Sequence, residues 1–482
     1  MKYTQSNYSN FIKTLISALA LALLVLTYYG YSSYTGSKVA YLIFTTISHS
    51  LLISGFTRRA FFIDLFVGVF FWLGFWFKFT IVIIYYDGIF NEPIGYFVRG
   101  PASYDQALLV ASIGMGGFLL ATLIRKKFLL GHFNNQLNPM NGLESMFKKN
   151  KVKILLFFIG LIVFIGVTNL FLGIYQKGTI TKTFLPLGLN NLYKWLLLFG
   201  LASFSAVILD LEFRVRKKVS LILYSIAMFE TFFTSISILS RGMVLNSAAL
   251  IVGLLAIYRN KGKIIGFKSL FFGILVFLMF FVISQQLVGA LRSVKFEKYD
   301  NDININKAIL NQIDSRDYFY RNIFIDRWVG IEAVMAVSSH TNLGWDLLKD
   351  ALDEKYDEEK MSFYDKNILK DKSPYINVDK SKHHFLSVPG IIAFFYYPGS
   401  YVFLFFMMLS IGVFSSIIEF IGYKLTQNLV LISLISQVIA YRYSNFGYVP
   451  LQNYLIFGAI IMNILLVYIG SNLYKHSMQT QT

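Results

Sequence analysis

The chain has 482 residues, of which 56% are hydrophobic and only 15% charged, and its mean hydropathy is +0.57. Such a balance excludes an ordinary soluble globular protein and fixes a polytopic membrane protein. The formal net charge of +18 does not point to nucleic acid, because Lys and Arg cluster in short segments between apolar runs, and the absence of cysteine excludes disulfides, thiol chemistry and thiolate metal sites.

A membrane crossing needs about 20 largely apolar residues. On that rule the fold is all-α, with about twelve transmembrane helices at 14–33, 39–57, 61–86, 106–124, 153–173, 192–212, 219–239, 243–258, 268–289, 397–422, 427–443 and 451–471. The first run, ISALALALLVLTYY, has no clear small-residue cleavage site and reads as a retained helix, not a signal peptide.

Basic residues in alternate short connections set the orientation. Arg58 and Arg59, Arg125 to Lys127 with Lys148 to Lys153, Arg214 to Lys218, and Arg259 to Lys263 are expected in the cytoplasm. The other connections hold one or two basic residues each: Lys38, Arg99, Lys177, Lys182 and Arg241. Both termini are therefore expected inside, and the long hydrophilic interruption between the ninth and tenth spans outside. The chain divides into helices 1–9 at 1–289, a loop subdomain at 290–385 and helices 10–12 with a short tail at 386–482.

That loop is nearly charge-balanced, with about 15 basic and 17 acidic residues between Arg292 and His384. Its first half spaces Phe324, Trp328, Ile331 and Met335 as amphipathic helix. Its second half, WDLLKDALDEKYDEEKM, reads as an acidic helix. About ninety residues are too few for a separate enzyme, so the loop is expected to cap the bundle.

Charges inside spans are costly and are by default paired or functional. Lys78 and Glu230 both lie mid-span and are expected to pair or to line a polar cavity. Asp64, Asp210 and Glu419, near cytoplasmic ends, are expected to reach water. On the outer side, Arg241 stands in the short turn SRG, Arg292 follows Gln285 by two helical turns, and Arg442 is flanked by Tyr441 and Tyr443. Three spans thus deliver a guanidinium to one depth, where its fork suits a lipid phosphate or diphosphate; the competing reading is ordinary interfacial arginines.

Candidate general bases are Glu332, Asp326, His383 and His384. No phosphate-cradling glycine loop, kinase signature or HExxH is present. Asp300-Asn301-Asp302 matches a metal-binding Asp-X-Asp only superficially, and neither a metal nor another cofactor is expected.

The layout of about twelve spans and a long external loop, with SILSRGMVL, RNIFIDRWVGIEAV and HHFLSVPGIIAFFYYPGSY, resembles the Wzy-type O-antigen or oligosaccharide repeat unit polymerases. The resemblance implies a GT-C-like membrane glycosyltransferase of the bacterial inner membrane, with its active site facing the periplasm. Such an enzyme moves the growing glycan from undecaprenyl diphosphate to the sugar of a new undecaprenyl-diphosphate-linked repeat unit. It also implies a chain-length regulator and a repeat-unit flippase as partners, and no nucleotide or metal. The family's boundary arginine falls on Arg241 and its loop arginines on Arg321 and Arg327, with Glu332 nearby. Tyr396, Tyr397, Tyr441 and Tyr443 are expected to face sugar. Two alternatives stay open: an O-antigen ligase acting on lipid A core, and a lipid-linked oligosaccharide flippase or other transporter.

Overall fold

A computed structural model describes residues 2–57, 61–128, 141–261, 267–296 and 321–479. The described residues are 76% helical and contain no strand. Each predicted span overlaps a helix, and among the described residues eight helices are long and apolar enough to cross a membrane, while the spans expected at 14–33, 219–239, 243–258 and 427–443 fall on four shorter apolar helices. The chain is a multi-pass membrane protein.

In chain order the helices are α1 (Lys2–Ser33), α2 (Lys38–Phe56), α3 (Phe62–Tyr85), α4 (Pro101–Phe128), α5 (Asn141–Leu172), α6 (Pro186–Arg216), α7 (Leu221–Ser237), α8 (Leu245–Asn260) and α9 (Phe267–Phe296). The loop contributes α10 (Ile331–Ser338) and α11 (Trp345–Leu352), then follow the short α12 (Gly390–Phe395), α13 (Tyr401–Thr426), α14 (Leu429–Ser444) and α15 (Asn453–Gln479). Side-chain caps start several of them: Ser37, Ser220, Ser400 and Asn428 each accept the N–H three residues on. The core is built by α4 against α2 and α13 and by α14 against α3 and α8. Large apolar side chains such as Phe157, Phe164, Phe406 and Phe414 stay on the perimeter, the surface a lipid-facing bundle needs.

At the end of the bundle away from the long loop, the charges near the helix ends are internal. Glu419 of α13 accepts the N–H groups of Phe62 (2.8 Å) and Ile63 (2.9 Å) and the Ser436 hydroxyl (2.8 Å), so a carboxylate faces the N-terminus of α3. Asp64 pairs with Arg125, which also donates to the Gly412 carbonyl. Asp210 pairs with Arg214 at 2.6 Å. Asp64, Asp210 and Glu419 are buried. The expectation that they reach water is thus overturned, because each has donors waiting on a neighbouring turn or helix.

The loop differs from its expected helices. Residues Ile331 to Ser338 are all buried, so α10 is a core helix lying against α4 and α12, not an amphipathic one. The acidic helix stops at Leu352, since Glu354 turns back to accept the N–H groups of Phe363 and Val449 while Glu358 accepts Thr181. The segment before Arg321, with Arg316 and Asp300-Asn301-Asp302, lies outside the described residues.

One contact docks this loop on the bundle. In α3 the residues Trp72–Phe77 form a π-helical turn, and there Gly74 meets Gly330 backbone to backbone. A Cβ on Gly74 would lie 2.3 Å from the Val329 carbonyl oxygen, and one on Gly330 would lie 2.2 Å from that of Gly74. Neither position has room for a methyl group. Gly330→Ala is expected to cost about 1–3 kcal/mol and to lower the melting temperature in detergent. Unchanged melting would show that the two backbones are not pressed together.

Candidate functional site

The turn between α7 and α8 gathers three of the predicted arginines. Leu239 there takes a left-handed backbone (φ 53°), unfavourable for a branched side chain, and turns its carbonyl to accept Arg292 Nε at 2.9 Å. The Arg241 carbonyl accepts Gln285 Nε2 at 3.2 Å and Arg327 Nη2 at 3.4 Å. Arg292 from α9 and Arg327 from the loop are thus both tied to the backbone that carries Arg241. The Arg327 guanidinium also lies 4.7 Å from the Phe281 ring centre and 4.8 Å from that of Trp328.

Tyr441 at the end of α14 sits among these groups. Its hydroxyl closes on Gly242, its ring stands edge-on to Phe70 at 6.1 Å, and the Lys177 ammonium lies 6.0 Å from the ring centre. A recess opens between Phe70, Arg327, Trp328, Val329, Tyr441, Ser444 and Asn445. Arg327 lines this recess, and the partly exposed Lys177 and Arg292 lie close by, Lys177 against the Tyr441 ring and Arg292 within electrostatic reach of Arg241 and Tyr441. Among the described residues no carboxylate forms an ion pair with Lys177, Arg241, Arg292 or Arg327.

The cost of gathering like charges shows in their titration. Burial, with Arg292 and Arg442 adding repulsion, lowers the Lys177 ammonium to about 8. Burial lowers Arg327 to about 10, against the pull of Tyr441 and with Arg241 pushing the same way. Arg327 remains a cation at neutral pH, and Lys177 is the member that can lose its charge.

Other predicted residues are occupied. Arg321 pairs with Asp326 at 3.2 Å, donates to the Ile89 carbonyl at 2.5 Å and covers the Tyr86 ring at 4.1 Å, while Asn91 donates to Asp326 at 2.7 Å. Arg321 and Asp326 therefore neutralise each other as a clamp on the turn after α3. Arg442 donates to Asn453 Oδ1 (2.6 Å), Tyr448 O (3.0 Å) and Asn445 O (3.3 Å), so its fork is filled by the turn it holds.

The expected pairing of Lys78 with Glu230 is overturned. Lys78 Nζ lies 2.6 Å from Glu332 Oε1 and donates to the Trp328 (2.7 Å) and Asp326 (3.0 Å) carbonyls, all from the loop. Glu230 instead accepts the Thr234 hydroxyl at 3.0 Å. Burial raises the Glu332 carboxyl to about 7 in spite of Lys78. With Lys78 against it and only 3% of its surface exposed, Glu332 has no open path to the recess.

Of the histidines, His383 stacks on Phe385 at 5.5 Å, and His384 donates Nδ1–H to the Glu358 carbonyl at 3.0 Å. Of the tyrosines expected to face sugar, only Tyr441 lines the recess. Tyr396, Tyr397 and Tyr443 are buried, Tyr443 with its hydroxyl 2.5 Å from Ser415 Oγ.

Two charged residues near the recess were not singled out from the sequence. Lys177 carried the same signal as Arg241, a basic residue in a connection otherwise poor in them. Glu92, in the turn between α3 and α4, had no such signal. It is exposed, forms no hydrogen bond among the described residues, and lies within electrostatic reach of Arg241, Lys78 and Asp326. The surrounding protein raises its carboxyl, with Lys78 and Arg241 opposing.

Compared with models of known families, with curated proteins and with solved structures, the chain finds no match in any of the three.

Two outcomes follow from this geometry. Removing one partner of a buried pair leaves the other charge uncompensated, so Lys78→Met and Glu332→Gln are each expected to destabilise by about 3–5 kcal/mol, and the double variant by less than their sum. Strict additivity in thermal unfolding would show that the pair is not coupled. For the recess, Lys177 is charged below about pH 8 and neutral above it, so an anion of constant charge should bind less tightly as pH rises. Stabilisation by sulfate is expected to weaken between pH 7 and 9 in the wild type and to stay level in Lys177→Arg; a level wild-type profile would remove Lys177 from the site.

Proposed function

We propose that the protein is a membrane glycosyltransferase that polymerises lipid-linked oligosaccharides, with the recess as its diphosphate site. The observation that carries this reading is the set Lys177, Arg241, Arg292 and Arg327, four cations gathered at one end of the helical bundle with no carboxylate paired to them among the described residues. Cations assembled against their own repulsion need an anion, and a lipid diphosphate supplies several negative oxygens at that depth.

In this reading the chain crosses the inner membrane about twelve times, the arginine-rich short connections face the cytoplasm, and the recess opens to the periplasm. The hydroxyl of the incoming lipid-linked repeat unit attacks the anomeric carbon of the growing glycan. The bond between that carbon and the diphosphate oxygen breaks, and the electron pair leaves with the undecaprenyl diphosphate. The cations stabilise the charge that develops there. The hydroxyl proton goes to a carboxylate, and Glu92, exposed, within electrostatic reach of Arg241 and raised by its surroundings, is the residue for that role. A chain-length regulator and a repeat-unit flippase are the partners such a reaction needs.

The test incubates the detergent-purified chain with the undecaprenyl-diphosphate-linked repeat unit of its own cell and resolves the products by length. Wild type is expected to give a ladder of glycans. Arg241→Ala and Arg327→Ala should each slow it about 100-fold or more, and Glu92→Gln by about 100- to 10,000-fold, with the proteins still folded. Transfer that requires added lipid A core would make the protein a ligase. Movement of the substrate across a bilayer with no new bond would make it a transporter.

A further inference from the structure

Near the cations, with Lys177 and Arg442 in electrostatic reach of Lys194 and Arg442 in reach of Tyr175, stands a wall of four aromatic rings. Tyr356 and Tyr448 are 5.9 Å apart between ring centres, Tyr356 and His384 6.0 Å, and His384 and Tyr448 5.4 Å. The Lys194 ammonium stands 5.1 Å from the centre of Tyr175 and 5.6 Å from that of Tyr356. All four rings keep accessible surface, and Tyr356 is 43% exposed. From these rings and their polar neighbours we propose that this wall is a saccharide-binding subsite, seating the glycan whose diphosphate lies in the recess.

The geometry selects among ligand classes. Lys194 already fills the cation position between Tyr175 and Tyr356, so the wall has no vacancy for a quaternary ammonium. The rings of Tyr356, Tyr448 and His384 are inclined to one another by 52° to 59°, so no two of them can sandwich a flat heterocycle. A chair-shaped sugar needs no parallel pair. Its C–H face rests on one ring and its hydroxyl edge reaches polar atoms at the side.

Those polar atoms are fixed. Glu358 accepts the Tyr356 hydroxyl at 2.7 Å, the Thr181 hydroxyl at 3.1 Å and the Thr181 N–H at 2.9 Å, which holds Tyr356 by its far end and leaves the ring face forward. His384 is bound on two sides: its backbone N–H donates to the Gly178 carbonyl at 3.3 Å and its Nδ1–H to the Glu358 carbonyl at 3.0 Å. That second bond places the ring proton on Nδ1 and fixes the ring, whose Nε2 is itself buried. At the side of the rings the Lys194 ammonium can donate to a sugar hydroxyl and the Glu358 carboxylate can accept one. The wall thus offers apolar faces with a donor and an acceptor beside them, the mixture a carbohydrate requires.

The subsite rests on the proposed function for the identity of its glycan, and the experiment keeps the two separable. Full-length protein in nanodiscs is titrated with the oligosaccharide released by mild acid from the cell's own lipid-linked repeat unit, and separately with inorganic pyrophosphate. Tyr356→Ala and Tyr448→Ala are expected to weaken oligosaccharide binding about tenfold, while pyrophosphate affinity stays within about twofold. Tyr356→Phe keeps the ring and should bind within about threefold of wild type, which separates loss of a stacking face from loss of the fold. Unchanged oligosaccharide affinity in the folded alanine variants, or no binding by wild type, would overturn the subsite. Ring-dependent oligosaccharide binding without any glycan ladder would support the subsite and overturn the polymerase.

Discussion

Lys78 is a cation with no exposed surface in the middle of an apolar helix, and such a group persists only where its surroundings supply acceptors. All three of its acceptors come from one loop segment about 250 residues further along: the carbonyls of Asp326 and Trp328 and the carboxylate of Glu332. The loop is therefore pinned to α3 at a point the membrane helix dictates. Arg327 lies between the two accepting carbonyls, so the same contact that satisfies Lys78 sets where the Arg327 guanidinium emerges. The π-helical turn at Trp72–Phe77 and the Gly74 to Gly330 approach belong to this arrangement: they bring the two backbones close enough for one ammonium to bridge them.

The two ends of the bundle treat charge differently, and the difference separates structure from function. At the end away from the loop, Arg125, Arg214 and Lys151 are each matched to a carboxylate on their own or a neighbouring helix. At the loop end some charges are matched in the same way, Lys78 with Glu332 and Arg321 with Asp326. Among the described residues Arg241, Arg292, Arg327 and Lys177 are not. A fold able to supply carboxylates to buried cations elsewhere has left Arg292, Arg327 and Lys177 to backbone carbonyls and ring faces, which orient a cation without neutralising it, and holds the exposed Arg241 beside them.

Much of this was legible in the sequence, for identifiable reasons. Helix positions followed from apolar runs of membrane length, and Arg241, Arg292 and Arg442 stood out as guanidiniums beside apolar runs on the side expected to be poor in them, although the Arg442 fork is filled by its own turn, whereas Arg327 came only from the family resemblance. Legibility failed where a partner or a direction depended on tertiary folding. Lys78 and Glu230 share a depth by count alone, whereas Glu332 reaches Lys78 only because the loop folds back. Tyr441 and Arg442 are neighbours about 100° apart on α14, so one enters the recess while the other turns to Asn453, and composition does not distinguish them. Tyr396 and Tyr397, in a run of aromatics, went to the interior because the short α12 is buried on every side. Glu92 sits in a turn whose residues had no periodicity to assign it a face.

The order of chemistry along the recess is the strongest reason to join its parts into one site. Phe70 and Phe281 stand against Arg327 at the side of the membrane helices. Arg241 lies within electrostatic reach of Arg327 and Arg292, Arg292 of Lys177, and Lys177 of Lys194 at the wall of Tyr175, Tyr356, Tyr448 and His384. A lipid-linked glycan presents the same sequence of groups: an apolar chain, then a diphosphate, then sugar. A free phosphate has no use for the aromatic wall, and a free sugar has none for four unpaired cations. In the proposed function a molecule carrying both in that order would use the apolar lip, the cations and the rings together. The gain from each then offsets the cost of holding like charges side by side, a cost the fold bears in the absence of any ligand.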